Sequence, residues 1–170
     1  MGWLNEEETC TQSKRFLAFK FSLVAFICFF MTSTFASELV FNCDSGNIKY
    51  QIFDDDYGVS YSHSKAGVED FYIRASKKDA VFKMASSPLS GGNVAYVQFS
   101  RGEYSYYFYD AITYARVPSL DVLGVMVWRN GKMISDRECY GNNNGLFSAA
   151  YNDLPRVDMD YQVFFKIVDR

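Results

Sequence analysis

The residues that could carry out catalytic chemistry are few in this chain. His63 is the only histidine, and no serine elbow of the hydrolase type lies near it. No glycine-rich loop opens a helix to hold a phosphate, and no cluster of cysteine and histidine is present. Acidic residues are numerous, but the sequence alone nominates no two that face each other across a cleft, and an enzyme that uses such a pair is the alternative. The sequence therefore predicts a protein that is not an enzyme and uses no cofactor.

Three adjacent acids at positions 54–56 are the strongest candidate for a metal site. Calcium loops usually take ligands from alternate positions, followed by a glycine and a distal acid. The run lacks that spacing, so we interpret it as a solvated turn and predict no metal site. Residues 57–67 are polar, and we expect them to form a loop on which His63 is solvated.

The first 36 residues have the order of a secretory signal peptide. A basic flank ends at Lys20, residues 21–31 form an uncharged apolar run, and small residues end at Ala36. A membrane anchor is the alternative, but the run is shorter than the ~20 residues that a span needs. We predict cleavage after residue 36, a periplasmic or secreted protein, and one domain over residues 37–170.

Two cysteines, Cys43 and Cys139, remain after this cleavage. In an oxidising compartment an isolated pair of cysteines usually forms a disulfide. Two buried free thiols are the alternative. A zinc site is disfavoured because zinc takes four nitrogen or sulfur ligands and the chain has one histidine. We therefore predict a disulfide between Cys43 and Cys139.

The charge of the chain limits its partners. The formal net charge is −3, and removal of residues 1–36 takes away as many acids as bases. A mildly acidic surface argues against nucleic acid and against anionic membrane as partners. It is compatible with a basic protein partner.

Residues 90–109 contain the clearest strand pattern in the sequence. Apolar and aromatic residues alternate with a period of two on both sides of a turn at residues 100–102. Tyr96 and Phe99 fall on opposite faces of one strand, and Tyr106 and Tyr107 on opposite faces of the other. We predict a hairpin in the middle of a sheet, with residues 90–93 as a flexible loop at one rim.

The remaining pattern predicts short strands joined by tight turns. An Asn-Gly pair at positions 130–131 suits a two-residue hairpin. Residues 110–120 are interpreted as a loop and residues 146–153 as a short helix. Strands are predicted at 39–43, 48–52, 71–74, 80–84, 125–129, 132–134 and 161–168.

This pattern is typical of an all-β fold, either a small antiparallel barrel or a sandwich. A closed barrel removes the exposed edges that would pair with other chains. We therefore expect a small antiparallel β-barrel of about eight strands, with one disulfide and a short C-terminal helix.

The composition favours binding over catalysis. Tyrosine, of which the chain has 13, occurs beside Ser, Gly and Asn, and this combination is common at protein interfaces. Small secreted β-proteins often act through loops held on a rigid frame. The alternative is that the tyrosines fill the interior and place their hydroxyls at the rim.

Four features of the sequence resemble the periplasmic and membrane-bound inhibitors of C-type lysozyme. They are Cys43 with Asp44 near the predicted mature N-terminus, the Ser90-Gly91 loop followed by Tyr96, an aromatic strand at 104–109, and a late Cys139. The resemblance covers residues 39–139. It implies an eight-stranded antiparallel barrel with a disulfide from the first strand to a late cysteine. It also implies that the Ser-Gly loop and the tyrosine enter the lysozyme cleft and contact the catalytic carboxylates.

These expectations define a binding function and its residues. The protein is expected to bind a protein partner, and the resemblance implies a lysozyme whose cleft receives the Ser90-Gly91 loop. The alternative is a periplasmic module that binds an envelope component or another protein. In the inhibitor hypothesis Ser90 and Tyr96 share one exposed rim. The predicted partner-binding residues are Ser90, Gly91, Gly92, Tyr96 and Arg101.

Overall fold

The computed structural model describes residues 37–115, 118–140, 143, 145–146 and 154–170. This part of the chain is mostly β-structure. Its strands are β1 (Glu38–Ser45), β2 (Ile48–Asp55), β3 (Gly58–Lys65), β4 (Val68–Ala75), β5 (Lys83–Leu89), β6 (Gly92–Arg101), β7 (Tyr104–Thr113), β8 (Leu120–Arg129) and β9 (Lys132–Glu138). A 3₁₀ turn at Lys77–Asp79 precedes β5, and one helix, α1, spans Tyr161–Val168.

The strands form two separate antiparallel sheets, and the expectation of a closed barrel was wrong. The first sheet has the order β1-β2-β3-β4 and the second the order β5-β6-β7-β8-β9. Consecutive strands pair within each sheet, and two-residue turns join them except between β7 and β8, where residues 114–119 intervene. Between β4 and β5 the chain instead makes the 3₁₀ turn and passes through Ala80 in the left-handed region, with φ 50°. No strand pairing joins β4 to β5 within the described residues, so the two sheets remain open.

Aromatic side chains fill the space between the two sheets. Tyr61 of β3 lies 5.0 Å from the ring of Phe108 and 5.2 Å from that of Phe99, both on the second sheet. Phe41 of β1 meets Phe108 edge to face at 5.5 Å. The alternation predicted for β6 and β7 is confirmed, since Phe99 and Phe108 belong to this core and Tyr96 and Tyr109 to another.

The outer face of the second sheet has its own core, covered by α1. The prediction of a strand at 161–168 was wrong. Asp160 caps the helix, because its carboxylate accepts the backbone N–H groups of Gln162 at 2.8 Å and Val163 at 3.4 Å. Val163 and Ile167, one helical turn apart, are both fully buried against this face. Residues 161–168 therefore form a helix, although their sequence pattern predicts a strand.

The disulfide between Cys43 and Cys139 is confirmed. It links β1 to the residue that follows β9, with 5.0 Å between the two Cα atoms. Cys139 also donates its N–H to the carbonyl of Leu123, and Tyr140 donates to that of Asp44. The segment after β9 is thereby joined to both sheets.

Two other predictions concern loops between strands. The prediction of a loop at 57–67 was wrong, because most of this polar stretch is β3, in which Val59 and Tyr61 face the core and Ser60 and Ser62 face the other way. The interpretation of 110–120 as a loop was partly wrong, because β7 continues to Thr113. The signal peptide at 1–36 and residues 147–153 of the proposed short helix lie outside the described residues. No helix in the described part of the chain is both long and apolar enough to cross a membrane.

Candidate functional site

The Ser90-Gly91 turn joins β5 to β6 and is the tip of their hairpin. Leu89 pairs with Gly92, so only two residues form the loop. Gly91 has φ 69°, which favours glycine. The observed loop is thus shorter than the four residues predicted, since Gly92 and Asn93 already belong to β6. Ser90 and Gly91 are both exposed.

Gly92 lets two strands approach closely behind the turn. It pairs with Thr113 at the end of β7. A Cβ atom at this position would lie 1.7 Å from the carbonyl oxygen of Ile112, a separation that no side chain can have. The smallest residue is therefore required here, and the turn has a fixed position relative to β7.

Hydrogen bonds from the end of β7 hold both carbonyls of the turn. The Thr113 hydroxyl donates to the carbonyl oxygen of Ser90. Tyr114 donates its N–H to the carbonyl of Gly91 at 3.3 Å. The Ser90 hydroxyl itself has no hydrogen bond to the described residues. The turn thus presents an available hydroxyl on a backbone that is already fixed.

Tyr96 lies in the interior, away from this surface. Its side chain is 0% exposed, and its hydroxyl accepts the backbone N–H of Asp160 at 2.8 Å. Burial raises its pKa to about 12. Because the segment before α1 covers it, Tyr96 cannot contact a partner in this fold, and the exposed rim expected for Ser90 and Tyr96 together is not formed.

Arg101 is exposed at the far end of β6. The strand has 10 residues, so its two ends are about 30 Å apart. The turn that follows is at Gly102 and Glu103 and not at residues 100–102, so Ser100 and Arg101 are the last two residues of the strand. The structure therefore brings Ser90, Gly91 and Gly92 together and places Arg101 on a different surface.

Tyr114 is a surface residue that the sequence reasoning missed. It directly follows β7, bonds the turn through its N–H, and has a side chain that is 70% exposed. The strand register reveals it, because pairing of Gly92 with Thr113 places Tyr114 beside Gly91. We call Ser90, Gly91 and Tyr114 the Ser90 surface.

A small, mainly apolar cavity adjoins the Ser90 surface. Its volume is about 300 Å³, and Val168 of α1 contributes one wall. None of its described lining residues is charged. The lining residues are Leu89, Ser90, Thr113, Ala115, Leu120 and Val168. An apolar side chain of a partner fits this space better than a charged one does.

Glu103 and Asp110 are the acids whose negative charge could repel a carboxylate bound at the Ser90-Gly91 turn, and neither lies on that turn. Glu103 is at the other end of the hairpin, where it binds Arg129. Asp110 is buried on the sheet face that looks toward the first sheet, and its carboxylate accepts the N–H of Leu146 at 2.8 Å. Burial raises the pKa of Asp110 to about 6 against the effect of that hydrogen bond, and Asp121 raises it further.

The remaining chemical candidates form no site of their own. His63 hydrogen bonds to Asp70 through Nδ1 and packs against Tyr50 at 5.0 Å between ring centres. Within the described residues no group of three or more His, Cys, Asp or Glu could hold a metal ion. Comparison with models of protein families, with curated proteins and with solved structures gives no match.

Proposed function

We propose that this protein is a secreted or periplasmic binding protein that inserts the Ser90 surface into a cleft of a protein partner. The observation that carries the proposal is the combination of a fixed backbone and an exposed hydroxyl at Ser90. A surface fixed before binding loses little conformational entropy when the partner binds. The disulfide supports the proposed secreted or periplasmic location, since disulfides persist in oxidising environments.

A lysozyme of the C type is the first partner to test. The cleft of such an enzyme holds one carboxylic acid and one carboxylate. A serine hydroxyl can donate to either group or accept from the protonated one, and Gly91 lets the backbone come close. Tyr114 supplies the exposed aromatic contact that the resemblance assigns to Tyr96. A basic enzyme is also attracted to a chain of net charge −3.

Inhibition assays with the Ser90→Ala and Tyr114→Ala variants test this proposal. Lysozymes of the C, invertebrate and goose types are assayed with the purified mature chain. We expect inhibition of at least one type, weakened about tenfold or more by Ser90→Ala because a hydrogen bond to a charged group is lost. Ser100→Ala is the matched control, since Ser100 is also exposed but lies at the other end of β6. Absence of inhibition of all three types at micromolar concentration contradicts a lysozyme target.

The burial of Tyr96 favours a second candidate partner. The resemblance to lysozyme inhibitors includes a tyrosine in the cleft, and Tyr96 is 0% exposed. The same Ser90 surface would then bind an envelope component or another protein. Crosslinking from a photoreactive group at position 114, followed by mass spectrometry, separates the two cases. Capture of a lysozyme favours the first candidate, and capture of an envelope component favours the second.

A further inference from the structure

A second surface lies at the opposite end of the β6–β7 hairpin. We call it the Arg101 surface, and it combines two arginines with three aromatic rings. Phe71 comes from β4 of the first sheet, and the other members come from β6, β7 and β8 of the second. The members are Phe71, Arg101, Tyr104, Tyr106 and Arg129. Arginine and aromatic residues are the types most enriched among the residues that dominate binding energy at protein interfaces.

The guanidinium of Arg101 stacks on the ring of Phe71 and forms no ion pair among the described residues. Its guanidinium carbon lies 4.8 Å from the centre of the Phe71 ring, and the residue is exposed. Among the described residues no carboxylate forms a salt bridge with it. Stacking fixes the plane of a guanidinium without using its N–H donors. The donors of Arg101 therefore remain available to an acceptor from outside.

Other arginines that lie over rings in this structure are neutralised. Arg74 lies over Tyr57 and binds Asp55 at 2.6 Å. Arg129 lies over Tyr104 and binds Glu103 at 2.6 Å. Arg170 lies over Tyr109 and binds Asp136 and Glu138. Only at Arg101 does the described part of the chain supply the ring without the carboxylate.

The rings beside Arg101 form a stable platform. Tyr106 stacks on the buried Phe99 with 4.6 Å between ring centres and 10° between planes. Phe71 also stacks with Tyr106, at 6.1 Å. The platform is therefore continuous with the core between the sheets, while Tyr104, Tyr106 and Phe71 each remain partly exposed. Such half-buried rings can pack against an apolar side chain without rearrangement.

The charges at this surface select among anionic partners. A nucleic acid or an anionic membrane needs several unpaired cations. Here Arg129 is already paired with Glu103, and the chain as a whole carries −3. One planar guanidinium with free donors suits one carboxylate, which it can bind through two parallel hydrogen bonds. The adjacent rings suit an apolar or aromatic residue next to that carboxylate.

We propose that the Arg101 surface binds an acidic segment of a second protein, with an Asp or Glu carboxylate on Arg101 and a neighbouring apolar side chain on Tyr104 and Tyr106. This site is independent of the Ser90 surface, because the two lie at opposite ends of β6. The protein would then have two binding surfaces of different chemistry. One presents an uncharged hydroxyl on a fixed turn, and the other presents a guanidinium beside aromatic rings.

NMR titration of the mature chain with a short capped peptide of glutamate, tryptophan and glycine tests the proposal. We expect shifts in the Arg101 side-chain N–H and in the amides of Phe71, Tyr104 and Ser105, with a dissociation constant of about 1 mM or lower. Replacing glutamate by glutamine in the peptide should weaken binding about tenfold, because the bond to the guanidinium loses its charge assistance. Arg101→Ala should have the same effect. Lys78→Ala, which changes the charge equally at another exposed position, should leave the affinity unchanged.

Several results would overturn the proposal. Equal affinity for the glutamate and glutamine peptides would show that no carboxylate is recognised. No shift at these residues at about 10 mM peptide, ten times the expected constant, would show that there is no such site. Tighter binding of a deoxythymidine oligonucleotide than of the peptide would identify a nucleic-acid surface instead. Arg101→Lys keeps the charge but loses the paired donors, so weakened binding by this variant supports the proposal even if Arg101→Ala fails to fold.

Discussion

The two ends of the β6–β7 hairpin are built in different ways. At the Ser90 end, backbone carbonyls are held by Thr113 and Tyr114, and Gly92 allows close contact between strands. At the Arg101 end, side chains stack on rings and one pair of charges is neutralised. The first end is thus specified by backbone geometry and the second by side-chain chemistry. Substitutions that disturb one end should therefore leave the other intact.

Alanine substitution of the glycine at each end is expected to give the largest contrast. Gly92→Ala places a methyl group 1.7 Å from the Ile112 carbonyl and should lower the free energy of unfolding by about 3 kcal/mol or more. In Gly102→Ala the added Cβ atom has no neighbour within 4 Å, so the variant should lose only about 1 kcal/mol of stability from the positive φ of 59°. Urea denaturation followed by circular dichroism measures both. Equal losses would refute the idea that close backbone contact distinguishes the Ser90 end.

A buried acid between the two ends should make stability depend on pH. The pKa of Asp110 is raised from 3.8 to about 6 in the fold, so the folded state binds more protons than the unfolded state between these values. Its contribution to stability is therefore present at low pH and is lost as the pH rises through 6. The loss is about 2 to 3 kcal/mol.

The Asp110→Asn variant isolates this effect. Its amide oxygen can still accept the N–H of Leu146, but it carries no charge. We expect the variant to be more stable than the wild type at pH 7, with little difference near pH 4. Denaturant titrations at both pH values provide the measurement, and a gain that is the same at both would rule out titration as the cause.

Removal of one hydroxyl should have the smallest effect. Thr113→Val deletes the hydrogen bond to the Ser90 carbonyl at a site that is 6% exposed, and should cost about 1 kcal/mol. The amides of Ser90 and Gly91 should then exchange faster with solvent. Ser100→Ala, which removes a surface bond to Ser105 at the other end, should change stability by less than about 0.5 kcal/mol. Unchanged exchange at Ser90 would show that Thr113 does not hold the turn.

Much of the second sheet could be predicted, because period-two alternation is a local property of the chain. It assigned Phe99 and Tyr96 to opposite faces correctly. The exact residues of the turn were harder to predict, because Ser100 and Gly102 are both residue types that are common in tight turns. Placing the turn at residues 100–102 put Arg101 in the loop and hid the register that brings Tyr114 beside Gly91.

The burial of Tyr96 could not be predicted for a different reason. It depends on α1 and the preceding segment, which are more than 60 residues away along the chain. Residues 161–168 are rich in β-branched and aromatic types, so their composition favours a strand. The cap at Asp160 and the spacing of Val163 and Ile167 determine the helix instead. Tyr96 is therefore buried by contact with a distant segment, which the local pattern of β6 does not reveal.

The disulfide has a consequence for how the chain is made. Cys43 is synthesised 96 residues before Cys139, so its thiol must wait for nearly the whole β-structure to emerge. No cysteine lies between the two in the sequence. Residues 37–170 therefore offer Cys43 no thiol other than that of Cys139, and within this part of the chain no wrong pairing has to be corrected.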